Sequence, residues 1–293
     1  MQLQILKFPR YFEWAASPAR TVIVAGIARS GTTWLGNMVA HLTKARVVFE
    51  PCISDDKRQF LIDQNGKFDL SRKYEMPLPL WDKANFEMQK TCIEQMLFAT
   101  INQGWGNQDF KSGIYFRRVV KMIRANFFIG HISCSWPSVK ILYVIRSPHE
   151  VIESMLNQNN QGWKFDWASK DILRYADTYP EWMDLISRFD WDRDSLIDRL
   201  TLRWCLELKI ALGQLQGVEH CMLLQYGKLQ RGESWNEISL FLGSCGYASI
   251  QEVVQKPSRT FLEKDKRIMH LTTEQIARIH KMAQAFGLES WIE

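Results

Sequence analysis

The chain of 293 residues has no apolar run close to the roughly 20 residues that a membrane-spanning helix requires. Residues Met1 to Arg20 include Lys, Arg and Glu and lack a continuous apolar core, so they do not read as a signal peptide. Dense Lys/Arg runs are missing too. The net charge of +5 favours anionic ligands only weakly and gives no reason to expect nucleic acid as a partner. The six cysteines, at 52, 92, 134, 205, 221 and 245, have no paired metal-ligand spacing, and Cys205 and Cys221 sit in apolar context as buried thiols. With no low-complexity linker, internal repeat or Gly/Ser-rich hinge, residues 1–293 are expected to form one domain. Trp is plentiful at 12 copies, which fits packing or a cleft with aromatic walls equally well.

The most informative segment runs from Thr21 to Leu35, Thr-Val-Ile-Val-Ala-Gly-Ile-Ala-Arg-Ser-Gly-Thr-Thr-Trp-Leu. A short β-branched run leads through a glycine-bounded polar loop into a helix. That order makes an anion cradle, because the first N–H groups of a helix have no internal partner and carry the positive end of its dipole. Gly26 and Gly31 have the Gly-x-x-x-x-Gly spacing of a phosphate-binding loop. The Lys that should follow is absent: Thr32 and Thr33 stand there, and the cation is Arg29, inside the loop. A nucleoside triphosphatase needs that Lys and a Mg²⁺ on its phosphates. Backbone donors, the hydroxyls of Ser30, Thr32 and Thr33, and one guanidinium suit a smaller anion such as a phosphosulfate, held without metal.

Another segment, Val139 to Leu156, repeats the plan. The apolar run Ile141 to Ile145 ends in Arg146, and Pro148 is placed for the first turn of a helix. Ser154 lies about two turns into that helix, so Arg146 and Ser154 can bind a second phosphate.

Together the two segments resemble the sulfotransferase family that uses 3′-phosphoadenosine 5′-phosphosulfate (PAPS). Thr21 to Leu35 resembles the family's 5′-phosphosulfate loop, in the Arg-Ser-Gly-Thr-Thr form of the tyrosylprotein and carbohydrate sulfotransferases. Val139 to Leu156 resembles its 3′-phosphate motif. The resemblance implies PAPS as donor and no metal. It implies Arg29, Ser30, Gly31, Thr32, Thr33, Trp34, Arg146 and Ser154 as nucleotide contacts. Gln225-Tyr226-Gly227-Lys228-Leu229 resembles the family's Tyr-Glu-Asp-Leu segment and adds Tyr226, and the basic loop at Lys256 is similar to the one that closes over PAPS. The Arg-Lys-Gly pattern of the cytosolic enzymes is absent from that loop.

Arg29 is the candidate for stabilising the leaving phosphate. Glu50 is the candidate base, because Val-Val-Phe-Glu-Pro ends a strand at the same carboxyl-end crevice; an ion pair with Lys44 or Arg46 is the alternative role. His41, His131 and His149 are weaker choices for the base. Lys111 is either a second cation near the sulfuryl group or an ordinary strand-edge residue.

The expected fold is α/β, a P-loop-like three-layer arrangement with a central parallel sheet of about five strands flanked by helices. Strands are expected at 21–25, 46–50, 110–116, 141–145 and 220–224. Helices are expected at 31–43, 87–102, 117–128, 149–159, 195–216, 234–243 and 273–286. Residues 52–86 and 160–194 read either as walls of an acceptor cleft or as surface loops.

The expected reaction is sulfuryl transfer to a hydroxyl or amine of a saccharide or small metabolite. A P-loop kinase and a catalytically silent nucleotide-binding protein are the alternatives. A kinase needs a Mg²⁺-holding Asp at a strand end, where Arg146 stands. The location is expected to be cytoplasmic, in a soluble bacterial protein. Golgi members of the family carry an anchor, so a trimmed anchor is the other reading.

Overall fold

The chain begins its main sheet with the central strand, goes next to one edge, fills the gap between them, and then adds two strands on the other side. A computed structural model describes residues 11–13, 17–49, 93–94, 97–98, 113–159, 195–243 and 270–292. Five strands form one parallel sheet: β2 (Thr21–Ala25), β3 (Arg46–Phe49), β5 (Arg118–Met122), β6 (Lys140–Ile145) and β7 (Cys221–Gln225). Their order is β3-β5-β2-β6-β7, with Val24 paired to Lys121 on one side and Leu142 on the other. Two short strands, β1 (Tyr11–Glu13) and β4 (Gly113–Tyr115), pair separately, also in parallel.

Strict alternation along buried strands gives the sheet two apolar faces. Val22, Val24, Val119, Leu142 and Val144 point to one face and pack against helices α1 (Thr32–Thr43) and α6 (Trp235–Leu242). Ile23, Ala25, Val120, Ile141, Tyr143 and Ile145 point to the other. That face is covered by α2 (Ile129–Ser135), α3 (Pro148–Asn159), α4 (Leu196–Leu215) and α7 (Thr273–Ala285). A one-turn helix, α5 (Tyr226–Gln230), follows β7 directly.

The arrangement is the expected three-layer α/β fold. Adjacent strands β2 and β6 send their following helices, α1 and α3, to opposite faces. The chain therefore parts at the carboxyl ends of these two strands, which is where open parallel sheets form a ligand crevice.

The helix expected at 117–128 is a strand instead. Residues Arg118–Met122 form β5, and the helix comes later, at 129–135. Arg118 and Lys121 interrupt the apolar run and imitate the polar face of a helix. Both are buried: an Arg118 Nη1–H group donates to Leu97 O at 2.8 Å, and Lys121 Nζ lies 3.9 Å from the Phe49 ring centroid.

Helix α4 starts at Ser195, which forms a capping box with Asp198. Gly217 follows its end at φ 72°, as a residue terminating a helix often does. Leu200, Trp204 and Leu208, which share one helical face, are fully buried, with Leu196 and Leu212 packed beside them. The helix also carries Glu207 into the core, where Arg203 donates to it at 2.6 Å. Asn126 donates to the same carboxylate, and the Tyr143 hydroxyl donates to Asn126 Oδ1 at 2.8 Å. This network ties α4 to β6 through Asn126.

Candidate active site

The loop leaving β2 is bent by sterics that only glycine meets at two positions. A Cβ on Gly26 would lie 2.4 Å from Val144 O, so β6 approaches the loop backbone directly. Gly31 has φ 88°, and a Cβ there would strike the Tyr226 ring at 2.2 Å. Arg29 adopts φ 71°, a left-handed conformation that costs a side-chain-bearing residue about 1–3 kcal/mol. Left-handed turns at 29 and 31 bring the chain sharply into α1. The N-cap is Gly31, and no side chain among the described residues caps the helix, which leaves its first N–H groups open to an anion. Ser30 is buried, and its Oγ has no hydrogen-bond partner among the described residues. An orphaned hydroxyl in such a loop fits an anionic ligand that would accept from it.

Across the crevice, Arg146 closes β6 and α3 begins two residues later, with Pro148 in its first turn. Two contacts join this segment to the first loop. Arg29 Nε–H donates to Ser154 Oγ at 2.9 Å, and an Arg146 Nη1–H donates to Arg29 O at 3.2 Å. Burial and the neighbouring Arg146 charge lower the pKa of Arg29, and a guanidinium starts high enough to stay protonated. Arg146 Nε–H also donates to Glu150 at 3.1 Å, and its guanidinium lies 4.9 Å from the Tyr226 ring centroid. Two cations thus converge from adjacent strands on one crevice, which suits a ligand with two anionic groups.

Tyr226 opens α5 and sits between the two loops, against Gly31 and Arg146. Its ring meets Trp34 edge-on at 5.7 Å, and Trp34 meets Trp235 at 5.8 Å. Burial raises the Tyr226 pKa, with Arg146 opposing the shift, so the phenol is neutral near pH 7. Its oxygen accepts from Gln230 at 3.1 Å. Thr32 is buried in the first turn of α1, with Thr33 beside it half-buried.

The structure therefore assembles Arg29, Ser30, Gly31, Trp34, Arg146, Ser154 and Tyr226 in one region. Glu50, Lys111 and Lys256 lie outside the described residues, as do both expected cleft walls. Only four residues of the expected helix at 87–102 are described. His41 is exposed on α1. A His131 ring nitrogen is 2.8 Å from Ser135 Oγ within α2. His149 lies 2.8 Å from Ser147 Oγ and 3.0 Å from a ring nitrogen of His280 on α7.

Sequence reasoning passed over Glu150 and Lys121. Glu150 stands four residues after Arg146, the spacing of helical ion pairs. Lys121 is a buried cation near the carboxyl end of β5, in register with Phe49, the residue before Glu50. Its signal was a single charge inside a β-branched run.

The sulfotransferase family is matched over residues 21–204, which contain both anion loops. No curated protein matches the chain. Similar solved structures include a sulfotransferase from Alicyclobacillus acidocaldarius, 12% identical with a TM-score of 0.48, covering 94% of this chain and 96% of that one. Mouse sulfotransferase SULT7A1 complexed with PAP is 13% identical with a TM-score of 0.42, covering 93% of this chain and 85% of that one. The chain belongs to the sulfotransferase family, and both strand-to-helix loops, at Arg29 and at Arg146, lie inside the matched region.

Proposed function

We propose that the protein transfers a sulfuryl group from PAPS to a hydroxyl or amine of a small-molecule or saccharide acceptor. The observation that carries this reading is the convergence of Arg29 and Arg146 at the β2–β6 crevice, above an uncapped helix N-terminus. The family match supports sulfuryl transfer as the chemistry. Two anion subsites fit a nucleotide that carries a 5′-phosphosulfate and a separate 3′-phosphate.

In this reading the N–H groups of the Gly31–Thr33 turn and the Ser30 hydroxyl hold the 5′-phosphosulfate. Arg146 and Ser154 take the 3′-phosphate, with Trp34 and Tyr226 beside the nucleoside and Lys256 closing over it. The acceptor oxygen or nitrogen attacks sulfur as the bond from sulfur to the bridging oxygen breaks. The electron pair goes to the departing 5′-phosphate, where Arg29 meets the growing charge. The acceptor's proton goes to Glu50, the residue after the end of β3. Lys121 supplies the second cation on the β3 side, a role the sequence had offered to Lys111. We read residues 1–293 as one catalytic domain acting in the cytoplasm. Among the described residues, no helix is long and apolar enough to cross a membrane.

The test is a transfer assay with PAPS against a panel of saccharide, phenol, alcohol and amine acceptors, read as a mass gain of one sulfate. Calorimetry with PAP and ATP runs beside it. Sulfated product and a clear preference for PAP support the reading. Tighter, Mg²⁺-dependent ATP binding with phosphorylated product would replace it with the kinase reading.

A further inference from the structure

We propose that Glu150 is a positioning residue that aims Arg146 at the 3′-phosphate and so sets the preference for nucleotides that carry one. The inference rests on the reading of Arg146 as the 3′-phosphate ligand. A free Arg side chain samples many rotamers, and fixing it when ligand arrives costs affinity. Arg146 is held on three sides before any ligand binds. Its Nε–H donates to Glu150 at 3.1 Å, an Nη1–H donates to Arg29 O at 3.2 Å, and one face lies over the Tyr226 ring at 4.9 Å. A guanidinium has five N–H groups. Two are used by these contacts among the described residues, and the remaining donors, on Nη1 and Nη2, lie away from Nε.

Glu150 is the only one of these three partners that bears a full charge, and it restrains the Nε position directly. Its side chain is 41% exposed, and so open an ion pair adds little to fold stability. What the contact supplies is direction. Ser154, the other ligand in this reading, sits one turn further along α3 on the same side as Glu150, so one rigid helix sets both groups. The same carboxylate also repels an incoming phosphate. The two effects act in opposite directions on affinity, and the proposal is that orientation prevails.

The test compares PAP with adenosine 5′-monophosphate, which lacks the 3′-phosphate, by calorimetry on wild type, Glu150→Ala and Glu150→Gln. The monophosphate controls for folding and for the 5′ subsite. In Glu150→Ala the preference for PAP should fall about tenfold, the factor expected for one freed long side chain, with monophosphate affinity unchanged. Gln keeps the acceptor and the length, so Glu150→Gln should retain most of the preference. An unchanged or increased preference in Glu150→Ala overturns the proposal, the increase identifying Glu150 as a repulsive neighbour only. A fall in Glu150→Gln as deep as in Glu150→Ala overturns it as well. Wild type that binds both nucleotides equally overturns the 3′-phosphate reading beneath it.

Discussion

The Nε–H of Arg29 donates to Ser154 Oγ at 2.9 Å, joining the loop after β2 to the middle of α3 across 125 sequence positions. The cation assigned to the leaving group is thus tied to a residue assigned to the 3′-phosphate. Arg29→Ala should lower kcat by about 10²–10³-fold, because its partner gains charge in the transition state. Ser154→Ala removes one neutral hydroxyl and frees Arg29, so it should raise the KM for PAPS several-fold with a smaller fall in kcat. Arg146→Ala should act mainly on nucleotide affinity. Steady-state kinetics with PAP calorimetry separates the three, and an Arg146→Ala protein that keeps wild-type PAP affinity rules out the assignment.

Glu50→Gln keeps shape and hydrogen bonding but removes the proton acceptor. Turnover should fall by about 10²–10⁴-fold with PAP affinity nearly intact, and most with a hydroxyl acceptor. Single-turnover rates read this directly. Unchanged chemistry in the Gln variant moves the search for the base elsewhere.

Gly31→Ala should cost both stability and nucleotide binding. The position has φ 88°, and the new methyl would overlap the Tyr226 ring. Strain of about 1–3 kcal/mol is expected from the backbone alone. If the clash is the cause, Tyr226→Ala in the same chain should recover part of the loss in thermal melts.

Glu207 is fully buried between Arg203 and Asn126. Glu207→Ala removes the buried carboxylate that accepts from both Arg203 and Asn126, and the expected loss is about 3–5 kcal/mol by urea unfolding. Changing Arg203 and Glu207 together to apolar residues of similar volume should cost far less, which distinguishes a broken buried ion pair from a simple cavity.

Acid should loosen α7 through His280. Burial, and then the neighbouring His149, lower its pKa below the ordinary histidine value. The folded protein therefore holds the neutral ring, and the unfolded chain takes up the proton first. This contribution is complete above about pH 6.5 and is lost as pH falls through the lowered value. Tm should decline as pH falls below about 6.5, and His280→Gln should decline less. Parallel curves for the two proteins would remove His280 from the acid response.

Local backbone geometry was readable from the sequence alone. Gly26, Arg29 and Gly31 announced a tight strand-to-helix loop because only a few residue types tolerate that backbone. Arg146, Pro148 and Ser154 announced another through strand end and helix spacing. The near-continuous apolar runs of β2 and β6 gave a buried parallel sheet. Local pattern failed at β5, where Arg118 and Lys121 are buried by neighbours far away in sequence, and a window of adjacent residues cannot register such partners. Tertiary structure alone decided that β2 and β6 lie side by side with their helices on opposite faces. That choice brings Arg29 onto Ser154, sets Arg146 over Tyr226, and turns two separate loops into one crevice. Its cause is the strand order of the sheet, fixed by which apolar faces cover one another and written in no single segment.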